Sequence, residues 1–245
     1  MKSFEFNSYG NDIVAHNKTL FTEFSLDLFK PECLVANDVL QYRRMRAQDV
    51  NGRGGVHTFI FGGQDLVLRH YYRGGMISKY IYDSYLWQGL YKSRAMNELQ
   101  MLSKMQAMSL PVPIPVAAHI QKNGFLYKAD IITQLIPQAL SCSTILIRNT
   151  ISAEVWQNIG SVIRRFHDKG CNHADLNAHN ILLNEKNCVF LVDFDKSQIE
   201  TRSGSWKQRN LVRLKRSLLK LKNTEANFNY SEQDFKSLMQ GYNSD

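Results

Sequence analysis

No CxxC pair occurs among the four cysteines, Cys33, Cys142, Cys171 and Cys188. That excludes a zinc ribbon or a dithiol redox motif and reads as free thiols in a reducing compartment. No run of about 18 apolar residues occurs, so no segment is expected to span a bilayer. The opening residues MKSFEFNSYG lack the apolar stretch of a secretory signal. Neither GKS nor GKT is present, which removes the phosphate-loop lysine. Low-complexity tracts and internal repeats are also missing, and charged residues make up 21%, so the chain does not read as disordered. What is left is a globular chain expected in the cytoplasm, free or bound to a membrane face.

The 245 residues suit one domain, or two small lobes around a cleft, and 44% hydrophobic residues are enough for a core. A net charge of +8 favours acidic partners: nucleic acid, phosphorylated ligands or an anionic membrane surface. A merely solvated basic surface would look the same.

The first half is strand-rich. VHTFIFGG and DLVLRHYYRGG read as two antiparallel strands joined at Gly62 and Gly63, preceded by a glycine-rich turn, NGRGG, at 51–55. A helix is expected over about 84–108, with Ala95, Leu99, Leu102 and Met105 as its apolar stripe. Pro111, Pro113 and Pro115 then impose an extended segment. LYKADIITQLI reads as one or two strands ending at Pro137. The lobe boundary is placed there, giving 1–136 and 137–245. The second half turns helical. Ser152 is a candidate N-cap, Val155, Ile159, Val162, Ile163 and Phe166 form one apolar face, and Gly170 suits the position after the last turn. ILL and VFLV read as a hairpin around 184–188, and a basic amphipathic helix is expected over about 206–222.

Between the helix and the hairpin lies CNHADLNAHNILLN (171–184), followed by LVDFDKS with Asp193. Three chemistries compete for it. A zinc site would use His173 and His179, but they stand six apart, not one helical turn apart, and no cysteine has a partner spacing. An Asn-rich polar turn is the plain structural alternative. Phosphoryl transfer needs a carboxylate for the attacking hydroxyl and hard oxygen ligands for Mg²⁺. Asp175 supplies the candidate base, and Asn180 and Asp193 supply the candidate metal ligands.

HADLNAHNILLN and VFLVDFD resemble the core of the protein-kinase-like superfamily, where His-x-Asp, four residues, Asn and then Asp-Phe-Gly follow one another. The resemblance implies an α+β bilobal fold, with an N-terminal antiparallel sheet plus helix and a mostly helical C-terminal lobe. It makes His173 structural and gives His179 no role. The departures are specific. Ala174 replaces an Arg, Asn177 stands where protein kinases often carry Lys, Asp195 replaces the Gly, and no APE follows. They point away from protein substrates and towards a small molecule or lipid-linked sugar. On the nucleotide side, Gly52, Gly54 and Gly55 form a loop able to present backbone N–H groups, though not a GxGxxG. Arg69 takes the usual lysine position, with Glu98 as its natural partner. Gln134 and Ile136 complete the candidate nucleotide-binding set.

LRHYYRGG, LPVPIPVAA, HADLNAHNILL, VDFDKS and WKQRNLVRLKRSL together resemble the 3-deoxy-D-manno-octulosonic acid (Kdo) kinases, over about 51–222. Lipopolysaccharide heptose kinases share them more loosely. The resemblance implies transfer of the ATP γ-phosphate to the 4-hydroxyl of Kdo on a Kdo–lipid A precursor, with Mg²⁺. It also implies a peripheral place on the cytoplasmic face of the inner membrane of a Gram-negative bacterium. A basic chain without a span suits docking to such an anionic surface. The helix at 206–222 carries Lys207, Arg209, Arg213, Lys215, Arg216, Lys220 and Lys222 between Leu211, Leu214, Leu218 and Leu221. It would lie on lipid, on the lobe, or on both. Arg43, Arg44, Arg46, Arg53 and Arg73 are further candidates for anionic substrate. The competing readings are a heptose kinase, an atypical serine/threonine protein kinase, and a catalytically dead kinase-fold binding module. No nucleic-acid-reading element is recognised, and the sequence is silent on oligomeric state.

Overall fold

The computed structural model describes residues 3–30, 43–44, 56–72, 83–202 and 204–244. The chain divides into two compact units: Met1–Ser103 with Pro113–Leu135, and Lys104–Val112 with Ile136–Asp245.

The first unit is built on one antiparallel sheet. Its strands are β1 (Phe4–Tyr9), β2 (Asp12–Asn17), β3 (Arg43–Arg44), β4 (Val56–Phe61), β5 (Gln64–His70), β6 (Tyr85–Leu86), β7 (Pro115–Asn123) and β8 (Leu126–Gln134). They run in the order β1-β2-β7-β8-β5-β4-β3, with β6 pairing β8. The expected β4–β5 hairpin forms with Phe61 opposite Gln64. Gly62 and Gly63 have φ of +56° and +73°, the left-handed pair that a two-residue hairpin turn requires. Leu66 and Leu68 of β5 alternate inward onto Val14, Phe59, Val116 and Ile132 to form the core. Strands β1, β2 and β7 were not foreseen. The buried centre of β7 is alanine (Ala117 and Ala118), which carries little strand signal of its own.

The expected helix over 84–108 is shorter: α1 is Arg94–Ala107. The stretch before Arg94 is drawn elsewhere, because Tyr85 and Leu86 pair with Tyr127 and Leu126 of β8. Gly89, at φ +107°, then turns the chain into a short 3-10 helix, Leu90–Lys92. The predicted stripe of Ala95, Leu99, Leu102 and Met105 is buried as expected.

The second unit holds the remaining helices among the described residues: α2 (Cys142–Arg148), α3 (Ala153–Asp168), α4 (Trp206–Thr224) and α5 (Glu232–Asn243). Its short strands are β9 (Leu140–Ser141), β10 (Cys171–Asn172), β11 (Ile181–Leu183), β12 (Val189–Leu191) and β13 (Gln198–Ile199). β12, β11 and β9 form one small sheet, and β10 and β13 another. Ser152 caps α3 by accepting from Val155 N–H at 3.4 Å. Gly170 follows it at φ +75°, where a Cβ would stand 2.4 Å from the Glu200 carbonyl oxygen. Helix α4 turns Leu211, Leu214 and Leu218 inward, each worth about 2 kcal/mol of apolar burial. Helices α2 and α5 were also unforeseen, although Ser231 and Asp234 form a full capping box at the start of α5. Cys142, Cys171 and Cys188 are free thiols.

Candidate active site

The stretch 171–184 leaves β10, loops, and enters β11, so the β11–β12 hairpin carries its far end to Asp193. Neighbours within the second unit fix this loop at several points. His173 is 2% exposed. Its Nε2 lies 2.9 Å from the Val192 carbonyl, and its Nδ1 accepts from Asp175 N–H at 3.2 Å. A carbonyl can only accept, so Nε2 carries the proton and Nδ1 the lone pair. Burial pushes the His173 pKa down, which keeps the ring in that neutral form. The imidazole thus ties the backbone before Asp175 to the backbone before Asp193.

The asparagines divide the work. Asn177 and Asn180 both donate through Nδ2 to the Asp175 carbonyl oxygen, each at 2.9 Å. Asn177 Oδ1 also accepts from His179 N–H at 2.9 Å. Asn184 Oδ1 accepts from Lys186 and Cys188 N–H at 3.1 and 2.9 Å, closing the hairpin turn. The polar-turn reading is therefore right for Asn177 and Asn184. Asn180 differs: it is buried, and its amide nitrogen is committed to Asp175, which orients Oδ1 as the atom left to accept a ligand. Val192 N–H donates to the Asn180 carbonyl at 3.1 Å, bringing Asn180 beside Asp193. Asp193 itself sits at φ +68°, a left-handed conformation that Asp tolerates better than most residues and that is characteristically found at functional sites. One amide oxygen and one carboxylate form a hard-oxygen donor set, which fits Mg²⁺ and not zinc.

The Asp175 carboxylate is 53% exposed, and Arg213 Nη1 of α4 approaches its Oδ1 at 3.2 Å. Helix α4 also holds the loop from behind. Asn210, 4% exposed, accepts from His173 N–H at 3.1 Å and donates to Asn172 Oδ1 at 3.1 Å. Ser217 Oγ accepts from Ala178 N–H at 3.3 Å. Asn210, Arg213 and Ser217 are spaced three and four apart, so they lie on one stripe along the loop. Sequence reasoning missed Asn210 and Ser217. The available signal was two polar residues at helical spacing among leucines. His179 meets Ser143 Oγ at 2.6 Å through Nδ1, an anchor between the loop and α2.

In the first unit, Arg69 of β5 and Glu98 of α1 form the expected ion pair. Glu98 is 3% exposed and also accepts from the Tyr71 hydroxyl. Removing either the guanidinium or the hydroxyl would take a hydrogen bond from a buried carboxylate, a loss on the order of 1.5–3 kcal/mol. Tyr71 was not singled out from sequence. Within RHYYRGG, Arg69 and Tyr71 hold Glu98, while His70 Nδ1 meets Asp130 Oδ1 of β8 at 2.6 Å. Gln134 is not part of this cluster: its side-chain amide bonds Gln64 Oε1. Ile136 is half-buried at the start of the second unit. Gly52, Gly54, Gly55, Arg46, Arg53 and Arg73 lie outside the described residues, as do the side chains of Arg43 and Arg44.

An antiparallel sheet whose Arg69 pairs with a buried Glu, and a helical unit with a His-x-Asp…Asn loop and an Asp after the next hairpin, define a protein-kinase-like α+β fold. A family model described as lipopolysaccharide kinase (Kdo/WaaP) matches residues 37–242, and the chain belongs to that family. It is 32% identical over 240 residues to a 3-deoxy-D-manno-octulosonic acid kinase of Vibrio vulnificus, covering 98% of both chains. It is 44% identical over 153 residues to the protein of that name from Vibrio cholerae, covering 62% of this chain and 65% of the other. A third, from Mannheimia succiniciproducens, is 40% identical over 200 residues, covering 78% of this chain and 82% of the other.

Proposed function

We propose that the protein transfers the γ-phosphoryl group of ATP to the 4-hydroxyl of Kdo on a Kdo–lipid A precursor. The observation that carries this reading is the neutral His173 bridge. It sets an exposed carboxylate, Asp175, in the same hydrogen-bonded framework as two hard-oxygen ligands, Asn180 Oδ1 and Asp193. Asp175 accepts the proton of the acceptor hydroxyl as that oxygen bonds to the γ-phosphorus. The bond from phosphorus to the β–γ bridging oxygen breaks, ADP departs, and the proton leaves Asp175 to water. Asn177 and Asn180 hold the Asp175 backbone so that its carboxylate does not move away from the hydroxyl. Mg²⁺ bound by Asn180 and Asp193 would neutralise charge on the phosphates. Arg69, presented by Glu98 and Tyr71, is assigned to the nucleotide phosphates, with the glycines at 52, 54 and 55, Gln134 and Ile136 completing the nucleotide-binding residues. On this reading the two lobes divide as nucleotide-binding (1–136) and catalytic (137–245).

A glycolipid acceptor lies in a membrane, and the reading places the protein peripherally on the cytoplasmic face of the inner membrane. No helix among the described residues is long and apolar enough to cross a bilayer. Helix α4 buries Leu211, Leu214 and Leu218 and turns Arg209, Arg213, Arg216 and Lys220 outward, a surface suited to anionic headgroups. The decisive experiment incubates the full chain with ATP, Mg²⁺ and Kdo–lipid A precursor and fragments the product by mass spectrometry. One phosphate on Kdo is expected. Phosphate found only on a heptose-containing acceptor, or on a protein, would replace this reading with a heptose kinase or a protein kinase.

A further inference from the structure

Helix α4 contains no acidic residue in WKQRNLVRLKRSLLKLKNT. Two of its bases are matched by carboxylates of neighbouring helices: Lys207 by Asp168 at 3.3 Å and Lys215 by Glu232 at 2.8 Å. Arg213 is different, because the carboxylate it meets is the candidate base itself, Asp175, at 3.2 Å with both side chains about half exposed (54% and 53%). An exposed pair of this kind contributes little to stability, so fold maintenance does not account for it. The position of Arg213 is nevertheless well defined. One turn before it, Asn210 is buried and bonded to Asn172 and His173; one turn after it, Ser217 is bonded to Ala178. Leu211, Leu214 and Leu218 seat the opposite face. Arg209, Arg216 and Lys220 continue the exposed cationic row on either side, at spacings of four and three residues.

We infer that Arg213 is the specificity-determining residue for the acceptor, binding the carboxylate of an acidic sugar beside the hydroxyl that Asp175 deprotonates. The inference rests on the phosphotransfer reading above and adds to it the substrate feature that is read. A guanidinium has five donors in a planar fork, so Arg213 can keep one N–H on Asp175 and present the others to a second carboxylate. An acceptor with an anionic group one guanidinium's width from the reacting hydroxyl satisfies both. A neutral sugar leaves half of the fork unmatched. In Kdo the carboxyl carbon and the 4-hydroxyl carbon are separated by two ring carbons, which is that arrangement.

The test is a double-mutant cycle on the full chain. KM and kcat are measured for wild type, Arg213→Ala and Arg213→Lys, using Kdo–lipid A precursor and the same compound with its Kdo carboxylate converted to the neutral carboxamide. A charge-assisted hydrogen bond to the carboxylate predicts a KM increase of roughly 10–100-fold when wild type receives the carboxamide. Arg213→Ala is expected to show that increase already with the acid and to lose little more with the amide, while its KM for ATP stays unchanged. Arg213→Lys should recover part of the loss, since it keeps the charge and forfeits the fork. Equal and additive losses on acid and amide, or an unchanged KM for the acid in Arg213→Ala, would overturn the inference while leaving the phosphotransfer reading standing. Failure of wild type to phosphorylate the acid acceptor at all would remove both.

Discussion

At the scale of single residues, the two oxygens of Asp175 that matter do different work. Its backbone carbonyl takes the two asparagine amides that shape the loop, and its carboxylate is left to face solvent and Arg213. Asp175→Asn is nearly isosteric and leaves those amide contacts intact, so folding and Mg²⁺–nucleotide binding should persist. Turnover should fall by about 10²–10⁴, the usual worth of a positioned base. Asn180→Ala should behave in the opposite way, weakening Mg²⁺-dependent nucleotide binding, which calorimetry with and without Mg²⁺ would separate. Turnover near wild type in Asp175→Asn, or unchanged binding in Asn180→Ala, would remove that residue from its role. The order His173, Asp175, Asn180, Asp193 was legible because a short loop and one tight hairpin fix the spacing locally. Asn210 and Ser217 were not legible. They serve backbone groups more than thirty positions away, and their own neighbours in sequence give no hint of those partners.

At the scale of elements, hairpins and caps were read well and element starts less well. Gly62–Gly63, Ser152 and Gly170 each act through local backbone geometry, so they signal themselves. The start of α1 did not, because residues 85–86 belong to a strand whose partner lies some forty positions later. Helix α5 carries a capping box, yet its placement depends on a contact that no single helix can reveal. Gly160 of α3 and Gly241 of α5 let the two backbones touch: a Cβ on Gly241 would stand 1.9 Å from the Gln157 carbonyl oxygen, and one on Gly160 1.9 Å from that of Leu238. Gly241→Ala must therefore separate the helices. A cost on the order of 3 kcal/mol is expected, lowering the thermal midpoint by about 8 °C for a chain of this size. Gly204→Ala, where a Cβ would meet Trp206 only at ordinary contact distance (3.4 Å), should move it far less. Similar midpoints for the two variants would refute the close-packing argument.

At the scale of the whole molecule, histidines with opposite shifts are unevenly distributed between the two units. In the first unit, Asp130 of β8 accepts from His70 at 2.6 Å and from His119 at 2.9 Å, and His119 also meets Asp12 at 2.7 Å. Burial works against charging these rings, but the Asp130, Asp12 and Asp83 carboxylates outweigh it and raise both pKa values. His16, stacked on Phe24, is lowered by burial. In the second unit burial lowers His173 and His179, and pushes His167 down to about 4. A raised histidine binds its proton more tightly when folded, so its stabilisation is complete below the unfolded value near 6.5 and is lost as pH rises through the folded value. A lowered histidine does the reverse: its stabilisation is present above about 6.5 and is lost as pH falls towards the folded value. Lowering pH from 8 to 6.5 should therefore raise amide-exchange protection of β5, β7 and β8. Lowering it further to 5 should reduce protection of α3 and the loop at 173–180. A parallel change in both units at both steps would contradict this division.

The sequence alone determined the candidate catalytic set, the Arg69–Glu98 pair and the basic helix. These depend on residue type, on spacing across one tight hairpin, and on helical periodicity, all of which are written in consecutive residues. Only the tertiary structure decided which side chains serve them. Tyr71 joins Arg69 on Glu98, Asn210 and Ser217 hold the loop, and Arg213 among seven bases of α4 meets Asp175. Those assignments come from hydrogen bonds and burial between segments distant in the chain, and their free energy exists only once the chain has folded and brought them within reach of one another.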